Sequence, residues 1–267
     1  MGRIEDCFHR LRRDGEVALV PFIMAGDPDL GVTRSLIRAA ADAGADLIEI
    51  GVPFSDPTAD GPVLQRSAAR ALQKGTSLPR ILAMVSELRA DVQLPFVLFG
   101  YYNPIFHYGP AQFTKDAQRA GVDGLLVVDL PPEEADELWK PAREVGLDMI
   151  FLLAPTSDAR RVRAVLRRAG GFVYYVSMTG VTGSRAIAPT DVRPAVERVR
   201  QQCTLPIGVG FGITSGAEAA TVAGFADAVI VGSAIMRLVE ANLGNGELVG
   251  KVGAFIRELK DATRRRG

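Results

Sequence analysis

Glu49 interrupts an apolar run. Its neighbours, Leu47-Ile48-Glu49-Ile50, have the length and character of a buried strand. A carboxylate there is costly unless it is paired or used. Two more carboxylates, Asp56 and Asp60, follow in a loop stiffened by Pro53, Pro57 and Pro62. A strand carboxylate and a loop carboxylate over one pocket suit general acid/base chemistry. The competing reading is a structural Glu49 paired with a lysine or arginine, since ion-pair networks also perturb carboxylates.

Three late segments suit an anion. They are Gly183-Ser184, Gly210-Phe211-Gly212-Ile213 and Gly232-Ser233-Ala234. Glycines let backbone N–H groups approach a phosphate, and a helix N-terminus favours negative charge. Ile235 to Asn242 is expected to supply a short helix for that purpose. A Walker A pattern is absent from the sequence, so a nucleoside triphosphate is not indicated.

Other residues divide between core and site. Phe22 is expected in a strand, as core or as a wall for an aromatic substrate. Tyr174 and Tyr175 alternate along a strand, so only one of them faces a pocket. His9 and His107 lack metal partners at useful spacing, and no metal site is expected. The strand-like runs hold no lysine, which argues against Schiff-base chemistry.

The elements that must position these residues are eight apolar runs of strand length: 18–24, 47–50, 96–100, 125–128, 149–153, 172–176, 207–210 and 228–231. Most are nearly continuous rather than alternating, as in strands of a parallel sheet buried on both faces. Amphipathic segments lie between them, and 4–13 forms an extra N-terminal helix. Asp29 and Thr214-Ser215 read as helix caps. Phrases such as Ala43-Gly44-Ala45-Asp46 and Ala120-Gly121-Val122-Asp123 read as helix ends feeding a strand. Eight βα units predict an α/β fold, a (β/α)8 TIM barrel, in one domain over 1–267. A doubly wound sheet is the runner-up. The longest intervals follow the second and sixth strands, and barrels carry their active sites on those βα loops.

Hydrophobic residues make up 48% and charged residues 23% of the chain, which is enough apolar material for a full core. Lys+Arg and Asp+Glu both number 31, so no bulk charge argues for nucleic acid or a membrane surface. The two cysteines, Cys7 and Cys203, read as reduced thiols of a cytoplasmic protein. The first residues are charged and carry no signal-peptide pattern.

Tyr101-Tyr102-Asn103-Pro104-Ile105-Phe106-His107-Tyr108 is expected as an aromatic loop. Covered by its own barrel it is ordinary. Uncovered, it forms an interface, with Asp129-Leu130-Pro131-Pro132 at its border.

The stretch from Glu49 to Pro62, EIGVPFSDPTADGP, closely resembles the signature of the tryptophan synthase α chain family. Gly26-Asp27-Pro28, Tyr102-Asn103-Pro104, Asp129-Leu130-Pro131, Gly180-Val181-Thr182-Gly183, Gly210-Phe211-Gly212-Ile213 and Gly232-Ser233-Ala234-Ile235 extend the resemblance along the chain in order. It implies a lyase that cleaves indole-3-glycerol phosphate to indole and glyceraldehyde 3-phosphate. It implies Glu49 as the acid/base, Asp60 at the indole nitrogen and Tyr174 beside them. It implies phosphate contacts at Gly183, Gly212, Gly232 and Ser233, with Phe211 in the same motif. It implies no cofactor in this chain, and a partner β chain holding pyridoxal phosphate in an α2β2 complex. The surface facing that partner would include Asp56, Tyr102, Asn103, Pro104, Phe106 and Pro131. A free-standing lyase and a mainly regulatory subunit are the alternatives.

Overall fold

The computed structural model describes residues 2–176, 189–210 and 212–264. Its strands are β1 (Ala18–Met24), β2 (Ile48–Gly51), β3 (Phe96–Gly100), β4 (Gly124–Val127), β5 (Asp148–Ile150), β6 (Leu152–Leu153), β7 (Val173–Val176), β8 (Ile207–Gly210) and β9 (Ala228–Val231). All pair in parallel, in the order β5-β4-β3-β2-β1-β9-β8-β7-β6. The two ends of that order are consecutive pieces of one segment, broken only at Phe151, so the sheet closes into a barrel. Eight strand positions were expected and eight are filled. The fifth is split because β5 follows β4 and β6 follows β7.

The helices are α1 (Arg3–Arg13), α2 (Leu30–Asp42), α3 (Pro62–Gln73), α4 (Leu78–Leu88), α5 (Tyr102–Tyr108), α6 (Pro110–Ala120), α7 (Asp136–Glu144), α8 (Ala159–Leu166), α9 (Pro189–Arg200), α10 (Gly216–Ala223), α11 (Ser233–Ala241) and α12 (Leu248–Thr263). Asp29 caps α2 and Ser215 caps α10 through their side-chain oxygens, as their sequence positions indicated. Gly121, at the C-terminus of α6, has φ 94°, a conformation that glycine adopts at no steric cost.

The aromatic segment after β3 is a correction. It is the helix α5 rather than a loop. Tyr101 enters it extended, Pro104 falls in the first turn where no N–H partner is needed, and Gly109 ends it. Aromatic residues are modest helix formers, which hid the helix in the sequence. The helix α11 begins at Ser233 rather than Ile235.

Alternate strand residues point into the barrel and pack as one cluster, including Val20, Leu47, Val97, Leu126, Ile150, Phe172 and Ile230. Ile4, Cys7, Phe8 and Leu11 of α1 join that same cluster, so α1 plugs the barrel floor. Phe8 packs against Phe172 with ring centroids 5.8 Å apart and the rings tilted by 50°.

The floor is pinned by aspartates that precede strands. Asp46 accepts the Leu19 N–H at 2.9 Å, Asp123 that of Phe96 at 2.8 Å, and Asp227 that of Ile207 at 2.9 Å. Each carboxylate also holds a cation: Lys260 at 2.8 Å, Arg89 at 2.6 Å and Arg200 at 2.8 Å, respectively. With the floor sealed in this way, the opposite rim is left for chemistry.

Candidate active site

A cavity opens at the C-terminal end of the barrel. Phe22, Glu49, Phe99, Tyr174 and Ile230 form its floor and sides. Leu64, Gly210, Gly212, Ile213, Gly232, Ser233 and Ala234 complete the lining.

Glu49 projects inward from β2 and is only 1% exposed. Its Oε1 has no hydrogen-bond partner among the described residues. Burial alone pushes its pKa up to about 8. No lysine or arginine among the described residues is paired with it, so the structural ion-pair reading finds no support there. A carboxyl near neutral pKa can both give and take a proton around pH 7.

Two glycines make room for the aromatic walls. A Cβ at Gly51 would lie 2.4 Å from Phe22 Cζ, and one at Gly210 would lie 2.3 Å from the Tyr174 hydroxyl. Phe22 therefore lies over β2 and meets Phe99 edge-on, centroids 5.2 Å apart. Tyr174 turns into the cavity. Burial and the nearby Glu49 raise its pKa well above the ordinary value, so it stays a protonated donor. Tyr175 points the other way, into the layer between sheet and helices.

Asp60 lies half-buried on the loop between β2 and α3. It is not among the cavity-lining residues. The Tyr101 hydroxyl accepts the Ala59 N–H at 3.0 Å, which places it near the Asp60 carboxylate. Burial raises the Asp60 pKa to about 6, and the Tyr101 hydroxyl opposes that rise. Asp56 is exposed farther out on the same loop, with the Ser55 hydroxyl donating to it at 2.5 Å.

Gly232 precedes α11, so the helix N-terminus and Ser233 face the cavity, which Gly212 also lines. That is the geometry of an anion site. Gly183 and Phe211 lie outside the described residues.

Beside the cavity, α5 presents an aromatic surface in which Phe106 is 54% exposed. Tyr102 donates its N–H to Asp129 at 2.8 Å and its hydroxyl to Glu137 at 2.7 Å. Asn103 is exposed, and Pro104 and Pro131 are half-buried. His107 packs its Nδ1 3.0 Å from the Asn103 carbonyl, and His9 is a surface residue near Glu5. No cluster of metal-ligating side chains occurs among the described residues.

A sequence model described as "Tryptophan synthase alpha chain" matches residues 8–264. The chain is 54% identical over 260 residues to the tryptophan synthase alpha chain of Citrifermentans bemidjiense, covering 97% of each. It is 53% identical to that of Geobacter sulfurreducens, covering 98% of this chain and 99% of the relative. The solved subunit alpha from Legionella pneumophila superposes with a TM-score of 0.93 at 38% identity, covering 98% of both chains. The chain belongs to the tryptophan synthase alpha chain family. A solved tryptophan synthase from M. tuberculosis adds a TM-score of 0.89 at 33% identity, with 99% of this chain covered.

For a tryptophan synthase alpha chain fold, the sequence left several neighbours of the site unmarked. Leu64, Phe99 and Ile230 line the cavity but read as ordinary apolar residues. Inward parity with Glu49 and Val97 was the signal that could have found Phe99. Tyr101 was one aromatic in a run, and nothing in the run singled out its hydroxyl for Asp60. No described helix is long and apolar enough to cross a membrane.

Proposed function

We propose that this chain, a single barrel domain over 1–267, cleaves indole-3-glycerol phosphate to indole and glyceraldehyde 3-phosphate. The observation that carries the mechanism is Glu49, a buried, unpartnered carboxyl at the cavity wall with a pKa near 8. In the acid form it protonates C3 of the indole ring, which turns the ring into an electron sink. The resulting carboxylate then takes the proton of the glycerol hydroxyl as the C–C bond breaks. The bond's electron pair returns to the ring, and the aldehyde and indole leave. Asp60, ionised above about pH 6, stabilises the positive charge that builds at the indole N–H. Tyr174 borders the reacting ring, and Phe22 packs against it. Gly212, Gly232 and Ser233 receive the phosphate, with Gly183 and Phe211 assigned there by family resemblance. Binding energy from that remote group holds the reacting centre in place.

The partner is a tryptophan synthase β chain, in an α2β2 complex, with pyridoxal phosphate held by the β chain and no cofactor in this one. The cytoplasm is the compartment. Asp56, Tyr102, Asn103, Pro104, Phe106 and Pro131 form the docking face. The exposed Phe106 and the position of Asp60 outside the cavity lining both support a site completed by the partner.

The test is release of glyceraldehyde 3-phosphate by the purified chain, alone and with a β chain added. Slow cleavage that rises strongly with the β chain is the expected result. Fast cleavage without response would leave a free-standing lyase, and absence of cleavage under both conditions would overturn the assignment.

A further inference from the structure

Asp27 lies in the turn after β1 and is fully buried, 0% exposed. Arg70 on α3 donates to both of its carboxylate oxygens at 2.8 Å, and the Ser67 hydroxyl adds a bond at 2.5 Å. The same guanidinium reaches Glu240 on α11 at 2.8 Å. Arg66 holds Glu240 through two further bonds, at 2.8 and 2.7 Å. Three elements are thereby tied together: the turn after β1, the helix α3 that begins two residues beyond Asp60, and the helix α11 whose first residue lines the cavity.

The position of Glu240 gives this tie its meaning. It lies in the last turn of α11, where the negative end of the helix dipole disfavours a carboxylate. The two arginines offset that penalty, so the residue serves an interaction outside its own helix. The nine residues of α11 span roughly 13 Å, a short stiff rod with Glu240 at one end and Ser233 at the other. Fixing the far end of such a rod fixes the aim of the near end.

We propose that Arg70 is a positioning residue: by clamping Glu240 to Asp27, it aims the N-terminus of α11 at the substrate phosphate. This rests on the reading of Gly232 and Ser233 as phosphate-binding. Removing Arg70 would strand Asp27 as a buried unpaired charge, so Arg70 variants risk unfolding. Glu240 is partly exposed, and its replacement leaves the Asp27–Arg70–Ser67 bonds in place.

The experiment is calorimetric binding of glycerol 3-phosphate and, separately, of indole to the full chain, with steady-state cleavage alongside. Glu240→Ala is expected to weaken glycerol 3-phosphate binding about tenfold, move indole binding by less than roughly twofold, and raise KM with little change in kcat. Unchanged glycerol 3-phosphate binding, or equal weakening of both ligands, would overturn the proposal. Ser233→Asp separates the two readings, because it places a negative charge at the phosphate position. If Ser233→Asp leaves glycerol 3-phosphate binding intact, or the unaltered chain does not bind it, the phosphate reading fails. If Ser233→Asp abolishes binding and Glu240→Ala does nothing, only the clamp fails.

Discussion

Glu49 and Phe22 are direct register partners on adjacent parallel strands, so the aromatic ring and the carboxyl stand side by side on the inner wall. The ring is also held over Gly51, the next inward position on β2. The carboxyl therefore faces an apolar wall rather than water, which is why its charged form is disfavoured.

Glu49→Gln should remove nearly all cleavage and leave the fold intact. Its effect on stability has a definite pH dependence. The folded pKa is raised from 4.5 to about 8. Stability associated with Glu49 is thus complete below pH 4.5 and is lost as pH rises through 8. The glutamine variant does not ionise, so its advantage should widen by about 1.4 kcal/mol per pH unit inside that window. Denaturant titrations of both proteins between pH 5 and pH 8 test this, and parallel curves would contradict it.

Tyr101→Phe should act through Asp60. The Tyr101 hydroxyl lowers a pKa that burial has raised to about 6, so deleting it should raise that pKa further. Activity that needs ionised Asp60 would then fall away at a higher pH on the acid side. The loss at pH 7 should be about two- to tenfold, for a rise of about one to two pH units. A pH–rate profile checks this. An acid limb that stays in place would mean Tyr101 only supports the loop.

Gly51→Ala should destabilise the protein by about 1–3 kcal/mol, because the new methyl meets Phe22 and the strand cannot easily move. Phe22→Leu removes the atoms it strikes. The double variant should therefore be more stable than the sum of the two single losses predicts. Thermal unfolding of the four proteins would show additivity if the contact is unimportant.

Lys260→Met should cost about 3–5 kcal/mol, since it leaves the buried Asp46 with less compensation. Asp46→Asn in the same background should recover part of the loss by removing the stranded charge. Equilibrium denaturation measures both.

The strands were legible because residues buried on both faces leave continuous apolar runs, and β1 and β3 lie where those runs do. Glu49 was legible for the converse reason, as the charge that broke such a run. The helix α5 was not, since its turns are built from aromatics and a proline whose local preferences point elsewhere. The clamp was not legible either. Its partners Asp27, Arg70 and Glu240 are separated by 43 and 170 residues and share no spacing rule. The sequence marks Asp60 by its loop, but its tie to Tyr101 depends on how that loop folds back onto the end of β3.

Asp46 is gripped from both ends of the chain: Arg10 of α1 reaches it at 3.2 Å and Lys260 of α12 at 2.8 Å. During synthesis the first grip becomes available early. The second cannot form until residue 260 has left the ribosome. Until then a buried carboxylate at the base of β2 lacks its closest cation. A nascent chain stalled before α12 would thus carry a floor that is packed but not locked, and completion of the barrel waits on α12.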